Sequence, residues 1–157
     1  MKRTAFVMAM LGLMALLGVT LAACESVLGG SGNNDHVTVQ HILIAVSGAS
    51  RVMPFRVTKQ IIRTPEQAKA RAEQLLKAAQ QGQDFDKLVR ENSDDAPPGI
   101  YSISNLGVPA EPGEYPRANV PPNFAQTSFT LKPGEIGMSP YDASNNPAGY
   151  HIIKRLK

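Results

Sequence analysis

The chain has one cysteine and no tryptophan, and aromatic residues fill only 6% of its 157 positions. A single thiol makes no internal disulfide, so the fold has to stand on its apolar core. No Cys/His cluster has metal-ligand spacing, so neither a metal site nor a metal cofactor is expected. Nor is there a basic excess of the kind that nucleic acid requires. The formal charge is +3, from 16 basic and 13 acidic residues. Setting aside Lys2 and Arg3 at the extreme N-terminus leaves 14 basic against 13 acidic residues, and no basic stripe carries interleaved aromatics. Nucleic acid is therefore not an expected partner. The uncharged apolar run Ala5 to Thr20 falls short of the ~20 residues that cross a bilayer as a helix.

That run fits an export signal instead. Lys2 and Arg3 precede it, and Leu21-Ala22-Ala23-Cys24 closes it with small residues before the cysteine. The pattern resembles the lipobox of bacterial lipoproteins, in which the cysteine thiol receives a diacylglycerol and becomes the new N-terminus. The alternative is an ordinary secretory signal ending beside a cysteine. Residues 1–23 are thus expected to be a signal peptide, and residues 24–35, with Gly29-Gly30-Ser31-Gly32-Asn33-Asn34, a flexible tether. Residues 36–157 remain for one folded domain. Glu25 is not the aspartate that signals inner-membrane retention. The expected location is the bacterial cell envelope, lipid-anchored, with the outer membrane favoured where there are two.

What the domain does have is a pair of histidines in strand-like surroundings. Gln40-His41-Ile42-Leu43-Ile44 and Gly149-Tyr150-His151-Ile152-Ile153 each set an imidazole among β-branched and apolar residues. An imidazole inside a buried strand needs a partner, and two strands from the ends of the chain can be neighbours in one sheet. Alternation puts Val37, Val39, His41 and Leu43 on one face of the first strand. Residues 45–63 form a polar loop with Arg51, Arg56, Lys59 and Arg63. Thr64-Pro65-Glu66-Gln67 is a capping box with proline at the first helical position. Ala68, Ala72, Leu75, Leu76 and Ala79 then make one apolar stripe, and Gly82 ends the helix. A shorter helix from Asp84 buries Phe85, Leu88 and Val89 and stops before Pro97-Pro98-Gly99. A strand over 100–106, a loop over 107–122, a helix over Asn123 to Phe129, and strands Ile136 to Tyr141 and Tyr150 to Leu156 complete the α+β order β-α-α-β-α-β-β.

Five segments in this order resemble the parvulin family of peptidyl-prolyl cis/trans isomerases, or rotamases, over about His36 to Lys157. They are His41 to Ile44; the capped helix followed by Gly82-Gln83-Asp84-Phe85; Ser93-Asp94-Asp95; Phe124 to Phe129 with Leu131 and Gly134-Glu135; and Gly149 to Ile153. The resemblance implies a four-stranded antiparallel sheet flanked by three to four helices, with the two histidines on its central strands. It also implies isomerisation of Xaa–Pro bonds with no cofactor, acting on proline-containing, unfolded exported polypeptides, and a monomer. Only Arg51 falls where phosphate-selective relatives carry an arginine cluster. Either Pro98-Gly99 or Asn105-Leu106-Gly107 can stand for the family's Gly-Gly-Asp-Leu-Gly strand.

By the same resemblance, His41, Asp95 and His151 are the expected catalytic residues and Phe124 and Phe129 the expected substrate-binding ones. Phe124 would grip the proline ring, with Phe129 in the core behind it. Asp95 would face the amide at the pocket edge or orient the imidazoles, which would hold each other's tautomers through a mutual hydrogen bond. Each residue also has a plainer reading: a structural histidine pair, turn chemistry at Asp95 and a core aromatic at Phe124. Two other functions stay open, a non-catalytic holdase or interaction module for extended chains and a purely structural envelope lipoprotein.

Overall fold

The valine- and isoleucine-rich stretch His36–Ala45 forms β1 in the computed structural model, which describes residues 34–49, 52–57 and 59–157. The signal, most of the tether, Cys24 and Arg51 lie outside these residues. Val37, Val39, His41 and Leu43 are buried on one side of β1, and Ile42 and Ile44 on the other. A strand dry on both faces belongs in the middle of a sheet. β2 (Ile100–Ser104) and β5 (Gly149–Arg155) flank it antiparallel, and β4 (Ile136–Ser139) pairs antiparallel with β5.

The sheet has five strands rather than four, in the order β3-β2-β1-β5-β4. The extra strand, β3 (Tyr115–Pro116), pairs parallel to β2 inside the stretch expected to be loop. Its proline is tolerated because β3 is an edge. A 3₁₀ turn, Arg117–Asn119, follows it. β2 stops at Ser104 instead of running to Leu106, because the Asn105 amide donates to the Asp35 carbonyl at 2.7 Å. Leu106, expected to pack, is exposed, as is Ile100. β4 stops at Ser139 because Pro140 has no N–H for the ladder.

Helices close the two faces. α1 (Pro65–Gln80) and α2 (Phe85–Asn92) cover Ile42, Ile44 and Ile152. The capping box is present in both directions: Gln67 N donates to Thr64 Oγ1 at 3.3 Å, and Thr64 N to Gln67 Oε1 at 3.0 Å. α3 (Pro122–Thr130) covers the opposite face, where Phe124, Ala125 and Phe129 meet Val37, Val39, Leu43 and Ile153. The Asn145-Asn146-Pro147 connection is tied by buried Asn146, whose Nδ2 donates to Ser139 Oγ, Pro140 O and Gly149 O at 3.2, 2.8 and 2.9 Å.

The register between β1 and β5 positions the site. His41 lies opposite Ile153 and Leu43 opposite His151, so the two histidines are diagonal neighbours on one face. The pairing closes at Ala45 opposite Gly149. A Cβ at Gly149 would fall 2.2 Å from the Ile44 carbonyl oxygen, and φ there is +151°, so the contact requires glycine. Among the described residues no helix is long and apolar enough to cross a membrane.

Candidate active site

β2 pairs only with the first half of β1, and the second half finds its partners in Ser93-Asp94-Asp95. Asp94 N donates to Leu43 O at 2.8 Å, while Ser93 Oγ accepts from Leu43 N at 3.1 Å and Asp94 Oδ2 from Ala45 N at 2.9 Å. Arg63 Nη1 holds Asp94 Oδ2 at 2.7 Å. Satisfying an open ladder thus drags the acidic segment along β1 and delivers Asp95 to His41.

Asp95 is buried and its carboxylate accepts four hydrogen bonds. Oδ1 takes the amides of Arg56 and Ala96 at 2.6 and 2.8 Å. Oδ2 takes His41 Nε2 at 2.8 Å and the Tyr101 hydroxyl at 2.6 Å. Burial alone would push this carboxyl up, but the bonds from His41 and Tyr101 hold it down to about 2. It is a carboxylate throughout the physiological range.

That charge orders the protons beyond it. A carboxylate only accepts, so His41 Nε2 carries the hydrogen. Burial lowers the His41 pKa, only partly offset by the bond to Asp95, so the ring is neutral and Nδ1 is an acceptor. His41 Nδ1 lies 2.8 Å from His151 Nδ1, which must then be the donor. Burial, followed by the neighbouring His41, takes His151 well below the ordinary imidazole value. His151 Nε2 is left as a buried lone pair with no hydrogen-bond partner among the described residues. Donation converges on Asp95, from His151 through His41 on one side and from the Tyr101 hydroxyl on the other.

Aromatic rings wall it in. Phe124 meets His41 at 5.4 Å and His151 at 5.1 Å between ring centroids, and is fully buried. The sequence reading wanted Phe124 lining an open pocket. Here Phe55, from the loop between β1 and α1, lies 4.9 Å from Phe124, 5.0 Å from His41 and 4.5 Å from His151. Phe129 joins the same core but stacks under Arg117, whose guanidinium carbon is 4.6 Å from its centroid. His41, His151, Asp95 and Phe124 are therefore one cluster, and Phe129 stands behind it.

Two members escaped the sequence reading. Phe55 was the one aromatic in a polar loop, a signal in itself. Tyr101 falls in the stretch expected to be strand, and nothing in the local pattern marks Asp95 as the partner of its hydroxyl. Of the two alternatives for the glycine strand, Pro98-Gly99 is the one against β1. Gly99 O accepts from His41 N at 2.9 Å, and a Cβ on Gly99, at φ +64°, would meet the His41 carbonyl oxygen at 2.7 Å. Beside it opens a notch of about 160 Å³ bordered by Pro54, Arg56, Pro97, Pro98, Tyr101 and Tyr115.

A buried apolar cluster over neutral imidazoles and a fixed carboxylate offers hydrogen bonding and low polarity. Comparison with known proteins bears on the family. The family profile described as a PPIC-type PPIASE domain matches residues 26–156. The chain is similar to the chaperone SurA of Ralstonia nicotianae, 31% identical over 116 residues, 69% of this chain and 21% of that protein. It is equally similar to the chaperone SurA of Cupriavidus pinatubonensis, 31% identical over 120 residues, 68% of this chain and 21% of that protein. It thus spans about a fifth of the length of these curated relatives. The peptidyl-prolyl isomerase ESS1 from Candida albicans shares its fold, with a TM-score of 0.59 at 19% identity over 80% of this chain and 64% of that one. A match over most of its length places the chain in the PPIC-type, or parvulin, family of peptidyl-prolyl cis/trans isomerases.

Proposed function

We propose that this isomerase acts on unfolded, exported polypeptides from a lipid anchor at Cys24, and that His41, Asp95, His151 and Phe124 form its active site with Phe129 as support. The observation that carries the site assignment is the continuous hydrogen-bonded run from Tyr101 and Asp95 to His41 and His151, packed against Phe124.

The reaction is rotation about an amide whose barrier is about 18–20 kcal/mol, because the C–N bond is partly double. No bond to carbon breaks, so the protein needs only to favour the twisted amide over both planar forms. Twisting returns the lone pair to nitrogen and lowers the amide's polarity, which an apolar surface such as Phe124 favours. Neutral imidazoles keep charge away from that surface, and Asp95 fixes their orientation. Phe55 packs against Phe124 and both imidazoles, so it occupies the space next to the ring assigned to the proline.

The test is exchange spectroscopy on Xaa–Pro peptides, varying the residue before proline and including a phosphorylated one. Catalysed exchange should beat the uncatalysed tens to hundreds of seconds, and Asp95→Ala should slow it at least tenfold. A second reading, a holdase for extended chains, is favoured by the full burial of Phe124, which leaves no exposed ring for a proline to meet. Binding of proline-free unfolded chains with no rate effect on peptides would select it. For the anchor, Cys24→Ser should move the protein from the membrane fraction to the soluble one. Continued pelleting of that variant would remove lipidation from the account.

A further inference from the structure

We propose that Tyr101 is a positioning residue of the active site, fixing the Asp95 carboxylate and through it the tautomers of both histidines. Asp95 has room for about four hydrogen bonds, two on each oxygen, and all are filled. Backbone amides occupy Oδ1, so they hold the segment in place whatever side chains surround it. On Oδ2 the Tyr101 hydroxyl shares the oxygen with His41 Nε2. Among the described residues the phenol is thus the only side chain besides His41 that hydrogen-bonds the carboxylate. It is also the half-buried member of an otherwise buried run, and it borders the notch beside Pro97 and Pro98.

The ring reinforces this. It stands edge-on to His41 at 5.2 Å and 84°, and to Phe55 at 5.6 Å and 89°. The carboxylate therefore has one rotamer and one oxygen for His41, and the imidazole one plane. With the oxygen half-released, Asp95 takes up a proton more readily and turns toward other donors. His41 then loses the acceptor that keeps its hydrogen on Nε2. The ionisable groups that face Asp95 are His41 from β1, His151 behind it on β5, Tyr101 from β2 and Arg56 from the loop. Tyr115 of β3 stands next to Tyr101, and Asp94 with its Arg63 partner lies one residue away on the far side.

The inference rests on the active-site assignment proposed above, and its test separates the two. Tyr101→Phe keeps the ring and removes one oxygen. Long-range ¹⁵N–¹H spectra of the free protein should show His41 leaving its single Nε2–H tautomer. kcat should fall at least tenfold with KM within twofold. Unchanged tautomers and an unchanged kcat would overturn the proposal, leaving Tyr101 a packing residue. Should Tyr101→Phe not fold, 3,5-difluorotyrosine at position 101, a stronger donor, is expected to shift the His41 Nε2 proton resonance upfield at neutral pH, and no movement would refute the idea. An inactive wild type whose tautomers still respond to Tyr101→Phe would end the catalytic reading and keep this one.

Discussion

Replacing His41 with alanine is expected to lower the stability of the domain by about 3–5 kcal/mol, the range for leaving a buried charge without its partner. Three losses coincide at that position. The Asp95 carboxylate keeps its charge but loses its Nε2 donor, and His151 Nδ1–H loses its acceptor inside the core. A void also opens among Phe55, Tyr101, Phe124 and His151, all of which touch the missing ring. Urea titration should show the midpoint falling with the slope unchanged. A loss below about 1 kcal/mol would mean that the carboxylate is not held by this imidazole. The double variant with Asp95→Ala sharpens the test, because removing the carboxylate removes the stranded charge. It should cost less than the two single variants together, by more than about 1 kcal/mol. Strict additivity would separate the two groups energetically.

Acid is expected to destabilise the protein in two stages. Both histidines are lowered in the folded state, so below the ordinary imidazole value of 6.5 the unfolded chain takes up protons that the native core refuses. Their contribution is fully present above that pH and is lost as pH falls beneath it. Each ring that stays neutral in the native core adds at most about 1.4 kcal/mol per pH unit to that slope. The second stage belongs to Asp95, whose pKa falls from 3.8 to about 2 on folding. Its stabilisation is present above 3.8 and disappears as pH drops toward 2. Thermal melts from pH 8 to pH 3 should therefore be flat down to about pH 6.5 and then descend steeply. A plateau continuing to pH 4.5 would show that the imidazoles are already solvated or protonated in the native state. His151→Leu should flatten the first stage by about half.

Much of this was legible in the chain because it depends on local pattern. The period-2 runs around His41 and His151 identified two buried strands, and their burial on both faces explained why an imidazole there needs a partner. Thr64 to Gln67 declared a helix start, and Gly82 its end, φ +89°. What stayed hidden depends on contacts far apart in sequence. Nothing near Tyr115-Pro116 signals a parallel partner in β2, and nothing near Tyr101 reveals that its hydroxyl meets a carboxylate. Phe124 was singled out, but not its depth, because the ring that covers it comes from a loop about seventy residues earlier. Asp95 was legible as a motif, while its delivery to His41 follows from the stretch of β1's edge that β2 leaves open.

One end of β1 makes contacts whose consequence reaches beyond the domain. Residue 34 is fastened there: Asn105 Nδ2 donates to its carbonyl at 3.0 Å and Arg155 Nη2 to its Oδ1 at 2.9 Å. Ala45, at the other end, lies nine residues beyond His36, about 30 Å along an extended strand. Chain entering at residue 34 thus meets the sheet at the end of β1 opposite Ala45. Were the anchor proposed at Cys24 in place, a load on it would reach the sheet first through Asn105 and Arg155, ahead of the strand residues that carry the histidines.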